Sequence, residues 1–382
     1  MELVATCLFG LEGLLGDEID SLGYKKVSTI DGRVTFLGDA SAVARCNLRL
    51  RTAERVLIKL GSFKAYSFDD LFEGTKKLPW KNYISKTDAF PVKGHSVRSK
   101  LYSIPDCQKI IKKAVVDSLS ASYGIKQFDE SGVKYQIEFF ILNDEVTLMI
   151  DTSGAGLHKR GYREIAGIAP LRETLAAAMV KLSRMRDNVI ICDPFCGSGT
   201  IAIEAALIAT NRAPGLYRDF ISEDFPFINK KIWESEREEA KSEITPPLTE
   251  IYGSDIDIGC VDLAKNNAKK ALVSNCVKFY KADACAFNTP VKDARGTIIT
   301  NPPYGERLGD LATARELAKG FGKAVGVSVP SWQLYVISSD PLYDKYFGRK
   351  CDKKRVLYNG MIKCDLYQFF KRQDTPFGTK IF

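Results

Sequence analysis

The 382-residue chain has only two histidines, and its ten cysteines include no Cys-x-x-Cys pair. Histidine-based metal chemistry and a structural zinc site are therefore not expected. No apolar run approaches the roughly 20 residues needed to span a bilayer, and the first twenty residues contain no Lys or Arg. These features predict no membrane span and no secretory leader, and they favour a cytoplasmic protein with reduced thiols.

Positive charge is concentrated in one part of the chain. The formal net charge is +8, and residues 51–113 hold 14 Lys and Arg against 6 Asp and Glu. The same stretch contains the aromatic residues Phe63, Tyr66, Phe68, Trp80, Tyr83 and Tyr102. Basic and aromatic side chains together are typical of a phosphate-binding face. A solvated surface over an aromatic core explains this composition equally well, so both interpretations stay open.

Local patterns predict several domains. Residues 1–55 contain short strands, one amphipathic helix and a hairpin turn at Asp31–Gly32. Residues 56–158 mix strands and helices, as expected of a compact α+β unit. Strands then alternate with helices through residues 159–382 and end in a strand pair. Such alternation predicts an α/β domain with a parallel sheet that is covered on both faces.

A glycine-rich loop, Asp193-Pro-Phe-Cys-Gly-Ser-Gly-Thr200, follows a predicted buried strand and opens a helix. Gly197 and Gly199 allow a ligand to approach the backbone, and the helix N-terminus supplies free amides. Residues 197–202 also fit the dinucleotide pattern G-x-G-x-x-A. However, the Asp193 carboxylate would repel a pyrophosphate. It suits a ligand with cationic groups, such as the ammonium and sulfonium of S-adenosylmethionine (AdoMet).

Two further carboxylates follow predicted strands of the same domain. Asp255 comes after Ile251-Tyr-Gly-Ser, where it can accept hydrogen bonds from both ribose hydroxyls. Asp283 comes after the strand at 277–280, where it can accept from an adenine amino group. Carboxyl ends of parallel strands form the usual ligand crevice of an open α/β sheet. Asp257 is interpreted as a helix cap and is left out of this site.

The most specific string is Asn301-Pro302-Pro303-Tyr304, which directly follows the predicted buried strand at 297–300. Two prolines hold the chain in a stiff extended loop. The Asn301 side-chain oxygen and the Pro302 carbonyl can accept hydrogen bonds from a planar, poorly nucleophilic amine. Tyr304 can stack on the base that carries this amine. Alignment beside a sulfonium requires no metal and no covalent nucleophile.

The strings DPFCGSGT, GSDID and NPPYGERLG together resemble the class I AdoMet-dependent methyltransferases of the guanine-N2 RNA group, once labelled N6-adenine-specific DNA methylases. Residues 97–101 and 107–114 resemble the signature of the THUMP RNA-binding domain. Residues 157–163 and 169–174 resemble the linker into the catalytic domain of that family. The resemblance covers nearly the whole chain and implies a ferredoxin-like domain (1–55), a THUMP domain (56–158) and a Rossmann-like methyltransferase domain (159–382).

The resemblance also implies roles for individual residues. The methyl donor AdoMet would be bound by residues of the glycine loop and of the three strand ends, namely Asp193, Pro194, Phe195, Gly197, Gly199, Thr200, Asp255, Ile256, Asp283, Ala284 and Asn301. The target base would be held by Asn301, Pro302, Pro303 and Tyr304. With Phe382 as its last residue, the chain is expected to lack the second methyltransferase domain of fused relatives and to catalyse one methylation.

The leading hypothesis is methylation of the exocyclic N2 amine of a guanosine in structured RNA, with 23S rRNA preferred over tRNA. No obligate protein partner is expected. Adenine-N6 methylation is an alternative, because the same loop suits any such amine. Protein glutamine methylation would not explain the basic upstream half. A non-enzymatic RNA-binding or assembly protein is disfavoured by the three intact acids. Cytosine-C5 chemistry would need a nucleophilic cysteine, and Cys196 and Cys285 are interpreted as loop or packing residues.

Overall fold

The computed structural model describes residues 1–163, 171–303 and 311–370. Contacts divide the chain into two compact units. The first unit contains residues 1–7, 15–157 and 218–239, and the second contains residues 8–14, 158–217 and the chain from Ala240 onward. Among the helices of the described residues, none combines the length and the apolar composition that crossing a membrane requires.

The first unit is built on a seven-stranded sheet with the order β2-β3-β1-β4-β7-β6-β5. Its strands are β1 Glu2–Cys7, β2 Lys26–Ile30, β3 Arg33–Leu37, β4 Ala53–Lys64, β5 Val92–Val97, β6 Ile137–Leu142 and β7 Glu145–Asp151. The predicted hairpin at Asp31–Gly32 is confirmed, since β2 and β3 pair antiparallel around it. The long strand β4 pairs with β1 on one side and β7 on the other, so the predicted boundary at residue 55 falls inside one strand.

Four helices accompany this sheet in sequence, α1 Glu12–Ser21, α2 Ala40–Arg49, α3 Phe68–Lys76 and α4 Ile104–Tyr123. Only one helix was expected in the first fifty residues, and that expectation is wrong because α2 is a second. Its buried face consists mostly of small residues, so the sequence shows no series of large apolar side chains there. The one local signal is its N-cap, where the Asp39 side chain accepts from the Ala42 amide at 3.0 Å.

The second unit contains another seven-stranded sheet, with the order β10-β9-β8-β11-β12-β14-β13. Its strands are β8 Ile190–Asp193, β9 Ile251–Asp255, β10 Val277–Lys281, β11 Gly296–Thr300, β12 Gln333–Ser338, β13 Lys353–Asn359 and β14 Ile362–Phe369. The strands β8 to β12 pair parallel, and β14 runs antiparallel to β12 and β13. The predicted parallel α/β sheet with a final strand pair is therefore confirmed.

The helices that follow along the chain are α5 Glu173–Leu182, α6 Thr200–Ala209, α7 Lys230–Ser242, α8 Ile258–Lys270, α9 Leu311–Ser328 and α10 Tyr343–Phe347. A core of large side chains, including Phe321, Trp332 and Tyr367, packs against the strands of the second sheet. Gly296 begins β11 directly against this core. A Cβ atom there would lie 2.3 Å from the Trp332 ring, so a larger residue would displace the tryptophan.

Residues 218–239 interrupt the second unit in sequence and pack within the first. Phe225 stacks on Tyr135 with ring centroids 4.4 Å apart, and both side chains are buried. Arg45 Nε donates to Glu236 Oε2 at 2.8 Å. The sequence predicted an exposed helix at 234–243, and α7 covers most of that range with largely exposed side chains apart from Glu236 and Ala240.

Candidate active site

The order of the second sheet reverses at β8, because β9 and β10 continue on one side and β11 follows on the other. In open α/β sheets ligands bind outside the carboxyl ends of the strands at such a switch point. Asp193 is the last residue of β8, and Asn301 directly follows β11. Thr300 Oγ1 donates to Asp193 Oδ1 at 2.6 Å, which joins the two strand ends. The structure therefore brings the neighbourhoods of these two predicted site residues together.

Asp193 is a buried carboxylate, with 2 % of its surface exposed. Besides the Thr300 hydroxyl, it accepts a hydrogen bond from the Phe195 amide at 3.3 Å. Burial, with a smaller contribution from the charge of Asp255, raises the pKa of Asp193 to about 7. A carboxylate under this desolvation penalty is stabilised by a cationic ligand group placed beside it.

The glycine loop is attached to the end of β9 through its backbone. The Gly197 amide donates to Asp255 Oδ2 at 2.9 Å, and the Cys196 amide donates to the Ser254 carbonyl at 2.9 Å. Gly197 and Gly199 have φ angles of +50° and +82°, which β-carbon-bearing residues rarely adopt. The loop leads directly into α6, whose first residue is Thr200. The sequence here thus folds as a strand, a tight glycine loop and a helix.

We expect Gly199→Ala to destabilise the protein by roughly 3 kcal/mol, because it adds both backbone strain and a clash. The new Cβ would lie 2.9 Å from Ala264 Cβ and 3.0 Å from Phe279 Cζ. Gly197→Ala is the matched control, since its Cβ would meet no atom within 4 Å. That control should cost about 1 kcal/mol from the positive φ alone. Urea unfolding measures both, and equal losses would show that packing around Gly199 does not matter.

The carboxylates after β9 and β10 differ in their surroundings. Asp255 is half-buried, and besides Gly197 it accepts from the Asp257 amide at 3.0 Å. Ile256 beside it is 63 % exposed, which leaves an apolar side chain free for a ligand. Asp257 caps α8 by accepting from the Gly259 amide, so the predicted cap is confirmed. Asp283 is exposed and accepts from the Cys285 amide at 2.8 Å, which begins the short 3-10 turn at Ala284–Ala286.

The loop after β11 contains an unusual acceptor. Asn301 Oδ1 is buried and has no hydrogen-bond partner among the described residues. An unpaired buried acceptor costs on the order of 1–3 kcal/mol, and it is the group that the sequence assigned to bind an amine. Pro302 is buried and Pro303 is exposed. Tyr304, the predicted stacking residue, lies outside the described residues.

A buried charge network next to α6 was not predicted as part of the site. Arg163 Nη2 donates to Thr200 Oγ1 at 2.7 Å and lies 3.4 Å from Glu173 Oε1. Arg160 and the Tyr162 hydroxyl both contact Glu204, at 3.4 and 3.1 Å. Burial raises the pKa of Glu173. The sequence feature that could have indicated this network is Glu204, the one charged residue in the mostly apolar helix α6.

Comparison with known proteins agrees with this fold. A family model described as the RMKL-like methyltransferase domain matches residues 160–368. The RlmL ferredoxin-like domain matches residues 2–57, and the THUMP domain matches residues 65–151. The fold and these matches define a Rossmann-like methyltransferase preceded by ferredoxin-like and THUMP domains. The chain belongs to the RMKL-like methyltransferase family.

Several relatives cover nearly the whole chain. YpsC of Bacillus subtilis (strain 168), named as a candidate RNA methyltransferase, is 44 % identical over 97 % of this chain and 96 % of its own length. A solved structure from Listeria monocytogenes str. 4b F2365, described as a predicted N6-adenine-specific DNA methylase, is 45 % identical with a TM-score of 0.90, covering 97 % and 96 % of the two chains. SMU.472, a candidate methyltransferase complexed with SAH, is 38 % identical with a TM-score of 0.90, covering 98 % and 99 %.

Proposed function

We propose that this methyltransferase transfers a methyl group from AdoMet to the exocyclic N2 amine of a guanosine in structured RNA, with 23S rRNA as the preferred substrate. The observation that carries the proposal is the buried, unpaired Asn301 Oδ1 at the end of β11, in the described part of the chain. It follows Thr300, whose hydroxyl bonds to the buried carboxylate of Asp193. An acceptor for an amine therefore adjoins a carboxylate suited to a cationic donor.

The residues at the strand ends fit AdoMet. Asp193 would face the ammonium and sulfonium of AdoMet, Asp255 its ribose hydroxyls, and Asp283 with Ala284 its adenine. Gly197, Gly199 and Thr200 bring backbone close to the donor, and Pro194, Phe195 and Ile256 supply apolar contacts. The complex of SMU.472 with SAH, the product of methyl transfer, supports this choice of cofactor. AdoMet, when bound, supplies a methyl carbon on a sulfonium leaving group.

The chain's own contribution is to align and polarise the amine. Asn301 Oδ1 and the Pro302 carbonyl accept its two N–H groups, so that the nitrogen lone pair is drawn out of conjugation and toward the methyl carbon. Stacking on the base is the role that the sequence predicts for Tyr304. The amine loses a proton after methyl transfer, and no covalent bond to the enzyme forms.

RNA docking is assigned to a lysine surface of the first unit, defined as Lys76, Lys81, Lys86 and Lys113. Lys76 and Lys113 lie 5.5 and 5.7 Å from the Phe72 ring centroid. Lys81 and Lys86 both lie 5.8 Å from the Tyr123 ring centroid. Two ammonium groups over one ring repel each other, and an anion placed between them screens the repulsion. Asp117 Oδ2 lies 3.9 Å from Lys76 Nζ, and phosphates would play this part for Lys81 and Lys86. The THUMP match and the name of YpsC support RNA as that anion.

The aromatic residues of the basic stretch are thereby divided between core and surface. Trp80 is fully buried and Tyr83 is half-buried, so the core interpretation holds for Trp80. Tyr66 and Tyr102 are 54 % and 82 % exposed, and Lys100 lies 5.1 Å from the Tyr66 ring centroid. The exposed tyrosines are the aromatic residues of the stretch that a phosphate-binding face would use, and that interpretation stays a prediction.

We expect the double variant Lys81→Gln/Lys86→Gln to bind RNA more weakly and with a smaller salt dependence. Two lost phosphate contacts lower the slope of log affinity against log salt by about 1.5. The matched control is Lys265→Gln/Lys319→Gln, which removes two exposed lysines that pair with Asp262 and Glu316. Fluorescence anisotropy over a KCl series measures both. Identical slopes for the two double variants would remove the lysine surface from the docking model.

The finer choices in this proposal have a direct test. Nucleosides from the rRNA and tRNA of a strain lacking this protein are quantified by mass spectrometry. Loss of one N2-methylguanosine from 23S rRNA is expected. The description of the Listeria relative favours adenine-N6 methylation as the second candidate, and loss of N6-methyladenosine would establish it instead. We also propose a cytoplasmic location. The proposed domain limits along the sequence are 1–55, 56–158 and 159–382, with β4 shared between the first two domains.

A further inference from the structure

The methyl donor carries one group that the site described so far does not contact. Under the proposed function, Asp193, Asp255 and Asp283 would bind its cationic, ribose and adenine groups. Its amino-acid end also bears an α-carboxylate, which is its only negative charge. Three carboxylates of the protein line the strand ends that would receive it. Without a cationic partner, that carboxylate would be placed in a field of like charge.

The first turn of α6 provides an electropositive position close to the glycine loop. The helix begins at Thr200 and has ten residues, and its N-cap, Gly199, offers no side chain to its amides. Amides in the first turn of a helix have no acceptor within the helix. They and the helix dipole together favour an anion at this end.

Arg163 adds an independent observation at the same turn. Its side chain is only 8 % exposed, and its Nη2 donates to Thr200 Oγ1 at 2.7 Å and to the Leu171 carbonyl at 3.1 Å. Its Nε is buried and has no hydrogen-bond partner within residues 1–163, 171–303 and 311–370. A buried guanidinium with an unused donor lacks part of the compensation that its burial requires.

Glu173 does not complete this compensation. Its Oε1 lies 3.4 Å from Arg163 Nη2, which leaves Nε unmatched. The Glu173 side chain is itself buried, and desolvation raises its pKa more than the Arg163 charge lowers it. The Arg163 guanidinium therefore keeps a buried donor, Nε, that Glu173 does not use and that a second carboxylate can accept from.

We propose that Arg163, with the Thr200 hydroxyl and the first-turn amides of α6, binds the α-carboxylate of the methyl donor. The inference rests on the proposed use of AdoMet. Arg163 would then pair with the α-carboxylate of the donor and Asp193 with its ammonium, so that each charge at the amino-acid end has a partner of opposite charge. The competing explanation is that Arg163 only fastens the segment before it to α5 and α6.

Calorimetry with two ligands separates these explanations. One ligand is S-adenosylhomocysteine, and the other is its decarboxylated analogue, which keeps the amine and lacks only the carboxylate. The wild-type chain is expected to prefer S-adenosylhomocysteine. Arg163→Gln should lower the affinity for S-adenosylhomocysteine about 10- to 100-fold, the usual range for the loss of one charge-assisted contact. The affinity of the same variant for the decarboxylated analogue should fall by less than about threefold. Arg163→Lys should restore part of the preference for S-adenosylhomocysteine over the analogue.

Each outcome decides between the two roles. A variant that weakens both ligands equally shows that Arg163 is structural and overturns the inference. A wild-type chain that binds both ligands with equal affinity overturns it without any variant, so misfolding of Arg163→Gln cannot hide the answer. A wild-type chain that binds neither ligand refutes the proposed cofactor itself. Arg160→Gln is the control for the neighbouring network, since Arg160 pairs with Glu204, and it should leave the ratio of the two affinities unchanged.

Discussion

The Asn301→Ala variant should transfer methyl groups about 10²- to 10³-fold more slowly than the wild type. This is the loss of rate seen when an enzyme loses one positioned polar group that stabilises the transition state. Its affinity for AdoMet should stay within about threefold, because Asp193 and the glycine loop remain intact and the AdoMet contact that the resemblance implies for Asn301 is expected to contribute little. Stability should not fall, since Asn301 Oδ1 has no partner to lose among the described residues. Single-turnover kinetics with methyl-labelled AdoMet measures the rate, and calorimetry measures the affinity.

A suitable control for this experiment is Asn275→Ala, which shortens an exposed asparagine of the same unit. It should leave both quantities unchanged. If Asn301→Ala lost AdoMet binding together with its rate, Asn301 would be a structural or cofactor residue. The amine-binding role would then have to be abandoned.

The second large expected effect is a loss of AdoMet affinity when Asp193 is replaced. Replacement by asparagine keeps an oxygen for the Thr300 hydroxyl but removes the charge that a cationic donor needs. AdoMet affinity should drop by about 100-fold, as for other buried charge-assisted contacts. In the wild type the affinity should also decline as the pH falls below about 7, because burial raises the Asp193 pKa to that value. Titrations between pH 5.5 and pH 8.5, with both proteins, measure these changes.

The same carboxylate should make the ligand-free protein less stable at high pH. The folded-state pKa, about 7, lies above the unfolded value of about 3.9. Between these values the folded state retains a proton that the unfolded state releases, so the Asp193 contribution to stability falls as the pH rises through this range. Asp193→Asn cannot titrate, so its stability relative to the wild type should increase from pH 5 to pH 8. A constant difference in urea midpoint would show that Asp193 is ionised without penalty.

Local sequence patterns predicted the second unit well. Buried apolar strands, glycine turns and the Asp257 cap are features of neighbouring residues, so the alternation of strands and helices could be inferred directly. The order of the strands could not be inferred in this way, because it depends on pairing between distant segments. The contact between the ends of β8 and β11 is one consequence of that order. Without it, Asp193 and Asn301 were candidates on separate strands.

The first unit shows the limits of local patterns more clearly. Helix α2 has few large apolar residues, and β4 belongs to both halves of one sheet. Residues 218–239 lie far along the sequence but place Phe225 against Tyr135. Removing residues 1–155 would expose this buried ring. A truncated catalytic domain is therefore a poorer probe of RNA docking than the lysine substitutions.

The candidate site was predicted in part. The sequence supplied its carboxylates and the Asn301 loop, because strand ends and prolines are readable from short strings. It did not supply Arg163, whose position against Thr200 depends on packing between the segment before α5 and the first turn of α6. Buried ionic contacts of this kind have no local pattern, since either partner alone resembles a surface charge.

The most direct test of the central claim is single-turnover transfer from methyl-labelled AdoMet to RNA isolated from a strain that lacks this protein, followed by digestion to nucleosides. Label recovered in N2-methylguanosine with the wild type, and at least 100-fold more slowly with Asn301→Ala, is the result that we expect. Label in N6-methyladenosine would contradict the assigned amine. Absence of label from RNA, despite measurable AdoMet binding, would contradict the assigned substrate.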